Sequence, residues 1–191
     1  MAIRTNDETI VKLLRFVEDG EISASEVEKW LKDVDIDEIV EWMEEGFDYE
    51  EAIEWWDKGF RPADAYEWWE KGFSPADAYE WWAKDFSPDE ARRWYDAGFS
   101  PEEAEEWRDI TSLEDAIRWK RYGFSSDEAE EWLRYNFSPD EAREWTSYGF
   151  SADEADEWVS ERYSPEEADE YARKGIYHPR DIEKLTNKKE V

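Results

Sequence analysis

Carboxylates dominate the chemistry this chain carries: 54 aspartates and glutamates stand against 24 lysines and arginines, with one histidine and no cysteine. Acid–base catalysis needs a carboxylate pair whose surroundings set it apart, and here such pairs recur along the whole chain, so none is singled out. The histidine, His178, precedes Pro179 and reads as a weak helix cap, with no catalytic triad in view. Thiolate metal sites are impossible without cysteine, and the sequence holds no HExxH, no phosphate-binding glycine loop and no calcium loop. These residues predict a chain that is not an enzyme, with no catalytic residues, no cofactor and no metal.

What remains is binding chemistry, in two groups. The first is a run of aromatic doublets, Trp55-Trp56, Trp68-Trp69, Trp81-Trp82 and Trp94-Tyr95, with Tyr66 and Tyr79 three residues before Trp69 and Trp82. Three residues apart on a helix means the same flank, so Trp56, Tyr66, Trp69, Tyr79, Trp82 and Tyr95 are candidates for an aromatic strip that holds a partner. The second ring of each doublet is equally placed to serve as another core layer, since it lies about 40° around the helix from a core position. The second group is acidic: Glu102, Glu103 and Glu106, then Asp153, Glu154 and Glu157, then Glu166, Glu167 and Glu170. Carboxylates in a first helical turn favour the helix dipole, which accounts for part of this group without any partner.

A formal net charge of −30 repels nucleic acid and anionic membranes, so neither is expected as a direct partner. The charge matches a basic protein surface or a nucleic-acid-binding protein. The start, MAIRTNDETIVKLLRF, lacks the apolar core of a signal peptide, and no run of apolar residues is long enough for a membrane span. A cytoplasmic setting is expected.

These groups sit on a repeat. From Asp48 to Lys174 nearly the same thirteen residues recur, most cleanly as GFSPEEAEEW from Gly98 to Trp107. Ser100 is a helix N-cap, Pro101 takes the first helical position where a missing N–H costs nothing, and Glu103 completes a capping box. Ala104 and Trp107, at the fourth and seventh positions, share one face and form the core stripe. A glycine such as Gly98, or Asp85 and Asn136 in its place, supplies the left-handed residue that stops the helix. The following phenylalanine precedes the next cap and is placed to staple onto the next copy. A helix of about ten residues spans about 15 Å and is unstable alone, so each copy must bury its stripe against others.

Capping residues are therefore expected at Ser23, Asp35, Asp48, Arg61, Ser74, Ser87, Ser100, Ser112, Ser125, Ser138, Ser151, Ser164 and His178. The seventh position runs from Trp30 through Trp158 as tryptophan, then becomes Tyr171 and Leu185. The fold class expected is all-α: tandem single-helix repeats forming an α-solenoid or superhelix with a Trp/Phe core. Residues 1–22 read as an N-terminal capping helix with Ile10, Leu13, Leu14 and Val17 on one side. Residues 23–177 read as the array, and 178–191 as a C-terminal capping helix and tail. The register breaks near 110–112, where the Trp107 to Trp119 spacing drops by one residue and Arg118, Lys120 and Arg121 cluster. A bend, a contact for an acidic ligand and a tolerated deletion are the three readings of that step.

The stretch GFSPEEA resembles the Gly-Phe loop-and-helix element of ubiquitin-associated domains, from Gly98 to Ala104 and its equivalents. The resemblance implies a local geometry alone; neither ubiquitin binding nor binding residues carry over.

The reading that follows is a non-enzymatic, acidic helical-repeat protein acting as a protein-binding scaffold. Its alternative is a DNA mimic of the kind viruses and mobile elements use, occupying a basic nucleic-acid-binding cleft. Locally the array carries about one net negative charge per 3 Å, against one per about 1.7 Å in duplex DNA.

Overall fold

The computed structural model describes residues 7–32 and 34–182. Among them the chain is all-helical, with thirteen α-helices and no strand. In order these are α1 (Asp7–Glu18), α2 (Ala24–Trp30), α3 (Ile36–Glu44), α4 (Tyr49–Asp57), α5 (Pro62–Glu70), α6 (Pro75–Trp82) and α7 (Pro88–Asp96). They continue as α8 (Pro101–Arg108), α9 (Leu113–Tyr122), α10 (Ser126–Arg134), α11 (Pro139–Ser147), α12 (Ala152–Ser160) and α13 (Pro165–Ala172). A single 3-10 turn, Pro179–Asp181, follows His178. The rest of the expected C-terminal helix, including Leu185, lies outside the described residues.

Each helix begins where the cap chemistry puts it. Ser23, Ser87, Ser125, Ser138 and Ser164 form full capping boxes with Glu26, Glu90, Glu128, Glu141 and Glu167, and Asp48 does so with Glu51. Arg61 gives no side-chain cap, and Pro62 opens that helix instead. The hydrogen bonds from Ser138 to Glu141 hold that carboxyl below its ordinary range, and those from Ser23 do the same for Glu26.

Nearly every repeat helix also ends alike. The loop phenylalanine donates its N–H to the carbonyl of the seventh-position tryptophan across a left-handed residue, as in Phe60 to Trp55 at 3.2 Å and Phe137 to Trp132 at 3.1 Å. Gly59, Gly98 and Gly149 hold φ near +85°, at 88°, 82° and 86°, while Asp85, Asn136 and Arg162 take the same region without being glycine. The two rings joined by that bond also touch: Trp55 and Phe60, Trp94 and Phe99, and Trp145 and Phe150 meet edge-on with centroids 5.2, 5.0 and 5.4 Å apart. The phenylalanine thus reaches back to its own helix, and from there forward to the next tryptophan, with Phe60 6.3 Å from Trp68.

Trp/Phe clusters and the fourth-position alanines make up the core. Ala65, Ala78, Ala91, Ala104, Ala116, Ala129 and Ala142 are wholly buried, and the seventh-position tryptophans from Trp30 to Trp158 are buried with them. An alanine is needed there because it lets neighbouring helices approach until the rings close the space. At the far end Tyr171 is only half-buried and stacks flat on Trp158, 5.9 Å apart and 18° from parallel. The indole N–H groups of Trp30, Trp42, Trp119 and Trp158 are buried with no hydrogen-bond acceptor, a cost of about 1 to 3 kcal/mol each that ring burial has to offset.

The chain divides into two compact units, Met1–Pro101 and Glu102–Val191. In the first, α3 packs on both α1 and α5, and α6 packs on α5 and α7. In the second, α11 packs on both α9 and α12, and α12 on α13. A helix therefore meets not only its successor but the helix after that. The N-terminal helix departs from expectation: Leu13 is buried and Val17 half-buried, but Ile10 and Leu14 are exposed. The substantial packing of α1 is on α3, and a helix with one main neighbour covers a narrower stripe.

At the short step the left-handed stop is itself what is missing. No residue between Gly98 and Gly123 has positive φ, and Thr111 donates to the Trp107 carbonyl at 3.0 Å as an ordinary helical bond would.

Replacing Ser138 with alanine is expected to lower stability by about 1 kcal/mol at neutral pH. Because the Glu141 carboxyl is depressed in the folded state, its contribution is complete above the ordinary carboxylate value and is lost as pH falls through the lowered one. Thermal melts of both proteins should show a gap that narrows on acidification; a gap that widens contradicts this account.

Candidate functional site

The eighth helical position decides between the two readings of the aromatic doublets. Trp69, Trp82 and Tyr95 are 54%, 50% and 55% exposed and Trp56 39%, whereas their seventh-position neighbours are buried. These rings are not a sealed second core layer, yet they are not loose. Trp69 lies 6.2 Å from Phe47, Trp82 5.6 Å from Phe60 and Tyr95 5.7 Å from Phe73. In each case the ring rests one side on the buried phenylalanine that sits 22 residues earlier, in the loop that follows the helix two places back. Packing between a helix and the next but one creates this seat.

The tyrosines complete the row. Tyr66 is half-buried and lies 5.8 Å from Trp69, and Tyr79, 43% exposed, lies 6.0 Å from Trp82. Cations of the chain itself settle on two of the rings: Lys58 Nζ stands 5.6 Å from the Tyr79 ring centre and the Arg92 guanidinium 5.2 Å from that of Tyr95. Arg92 also bonds Asp96, and Lys71 pairs with Asp89 at 2.7 Å, which raises the lysine above its ordinary value. The first unit thus places Trp56, Trp69, Trp82 and Tyr95 at the eighth position of successive helices α4 to α7, with Tyr66 and Tyr79 at the fifth position of α5 and α6.

All nine candidate acids lie in the second unit, and their surroundings separate them by position. At the third position Glu167 accepts from Ser164 N–H at 2.9 Å and Glu154 from Ser151 N–H at 3.0 Å. Glu103, half-buried, takes Lys120 Nζ on both oxygens at 2.9 Å. At the sixth position Glu106 accepts from Ser126 Oγ at 2.9 Å, and Glu157 meets His178 Nδ1 at 2.7 Å with Arg180 at 3.9 Å. Glu170 stands 3.9 Å from Lys174. At the second position Glu102 and Glu166 are exposed, and Asp153 is exposed but bound by the Ser151 hydroxyl, which lowers its carboxyl. Several of these carboxylates are therefore engaged in capping helices or in joining a helix to the next but one.

The basic group of α9 is engaged in the same way. Arg118 pairs with Asp115 at 3.3 Å and with Asp140 of α11, while Tyr122 also bonds Asp140. Lys120 is held by Glu103 of α8. Of the readings of the short step, a contact for an external acidic ligand gains nothing here, because the cluster's acids come from its own unit.

The sequence did not mark the phenylalanine seats under the strip, although their signal was present. Three of the four doublets follow a loop phenylalanine two loops earlier, Phe47, Phe60 and Phe73 for Trp69, Trp82 and Tyr95, whereas Val34 holds that place before Trp56. On α1 Ile10 and Leu14, read as part of one apolar side, are exposed, as is Val11 beside them. Among the described residues no helix is long and apolar enough to cross a membrane, and no three His, Asp or Glu side chains gather as a metal-ligand set.

No family model, curated protein or solved structure matches this chain.

A seated but half-exposed ring contributes less to folding than a buried one. Trp82→Ala is expected to cost about 1 to 2 kcal/mol and Trp81→Ala about 3 to 5 kcal/mol, read from denaturant unfolding. Equal losses would mean that Trp82 belongs to the core.

Proposed function

We propose that this protein is a non-catalytic binding scaffold that holds a basic protein partner against the aromatic strip of its first unit. The observation that carries the reading is the row of Trp69, Trp82 and Tyr95, each about half exposed and each seated on a buried phenylalanine. Exposed tryptophans are costly to leave in water, and rings already fixed in place lose little freedom when a partner covers them. Rigid aromatic anchors of this kind concentrate binding energy at protein interfaces. The net charge of −30 supplies the long-range attraction for a basic partner.

The DNA-mimic alternative draws on the same charge. It needs carboxylates presented outward in rows, and the hydrogen bonds of Glu103, Glu106, Glu154, Glu157 and Glu167 within the unit favour it less.

The test is affinity capture with the intact protein at low and high salt, alongside a Trp69→Ala/Trp82→Ala variant. A basic protein retained at low salt, weakened by salt and lost with the variant is expected. Retention that ignores the aromatic pair but depends on acids of the second unit would transfer the reading to a DNA mimic. A complete absence of ring-dependent retention would contradict the strip.

A further inference from the structure

Within the first unit the strip borders a groove of about 210 Å³ whose floor is Phe60, Trp68 and Phe86, whose side wall is Trp82, and whose rim carries Asp64 and Glu67. That volume is below the roughly 300 to 1,000 Å³ of sites that enclose a small molecule, and suits a single side chain. Phe60, Trp68 and Phe86 are buried, so the floor is apolar and firm. Trp82 is tilted 53° to Phe60 and leaves half its surface toward solvent.

The rim is of opposite character. Asp64 and Glu67 stand three residues apart on one face of α5 and both are exposed. Among the described residues neither carboxylate makes a hydrogen bond or an ion pair, unlike the capping and bridging acids of the second unit. Lys71 feels Glu67 electrostatically but commits its ammonium to Asp89. The start of α7, Ser87 and Pro88, forms the remaining wall, and its positive end is already answered by Glu90, which accepts from Ser87 N–H at 3.1 Å.

We propose that this groove receives one arginine side chain from an exposed basic segment of the partner, an inference that rests on the protein-binding reading. The arginine stem lies along Phe60 and Phe86, the guanidinium plane stacks against Trp82, and its N–H groups bond Asp64 and Glu67. The strip itself shows that its rings accept cations, with Lys58 over Tyr79 and Arg92 over Tyr95. Arginine fits better than lysine because its planar head stacks, is less strongly hydrated and spreads its donors over two carboxylates at once.

The probe is N-acetyl-arginine amide, a single cation that cannot gain affinity by lying along many acids at once. It is titrated into the intact ¹⁵N-labelled protein while the Trp82 indole signal, identified by its loss in Trp82→Phe, is followed. A saturable shift is expected with the arginine amide, a weaker one with the lysine amide, and none with the citrulline amide, which keeps the shape without the charge. Asp64→Asn/Glu67→Gln should weaken the arginine response at least about tenfold, while the charge-matched Asp127→Asn/Glu131→Gln leaves it unchanged. No saturable shift, an equal shift with citrulline, or equal losses in the two double variants would overturn the groove. Partner capture that survives Asp64→Asn/Glu67→Gln but not Trp69→Ala/Trp82→Ala would likewise overturn the groove while leaving the scaffold reading standing. Loss of ring-dependent capture would instead remove the scaffold reading, whatever the amide does.

Discussion

One contact recurs at the end of nearly every repeat helix and the rest of the molecule depends on it. The seventh-position tryptophan and the loop phenylalanine share a backbone hydrogen bond across a left-handed residue, and their rings meet edge-on at 5.0 to 5.4 Å. The bond stops the helix and the ring pair fixes the direction in which the chain leaves it. Helices this short are unstable in isolation, so an interaction of about 0.5 to 1.5 kcal/mol beyond simple burial, repeated copy after copy, decides whether they form together. It also explains the composition, with 14 tryptophans against 2 methionines. A flexible thioether fills space but cannot hold an edge-to-face angle.

That local closure has a consequence two helices away. With the loop phenylalanine pinned to its own tryptophan, its other side is presented to the helix after next, where Trp69, Trp82 and Tyr95 sit on Phe47, Phe60 and Phe73. The same reach brings Glu106 to Ser126 and Glu157 to His178 in the second unit. One geometry thus yields two surfaces. From Trp69 to Tyr95 the aromatic eighth position makes a seated row of rings, and in the second unit, where that position is not aromatic, polar and charged pairs join the helices.

Helix starts and stops were legible in the sequence because each is decided by chemistry within a few residues: serine with glutamate three later, proline at the first turn, glycine before phenylalanine. Arg162 was the exception. Arginine has no preference for φ of +65°, and only its place in the period puts it there. The core tryptophans were legible for the same local reason. The seats beneath the strip and the partners of Arg118 and Lys120 were not, because they depend on which helix packs on the helix after next, a relation that a period along the chain does not state. The exposure of Ile10 and Leu14 was missed on similar grounds, since an amphipathic pattern gives the apolar face but not how many neighbours arrive to cover it.

The account stands or falls on the ring pair acting together with the turn, rather than as two separately buried side chains. A double-mutant cycle on Trp145→Leu and Phe150→Leu, measured by equilibrium denaturation, isolates that interaction from the burial each ring contributes alone. An interaction energy of about 0.5 to 1.5 kcal/mol is predicted. Strict additivity, with each ring's loss independent of the other, would contradict the claim that this contact holds the repeat together.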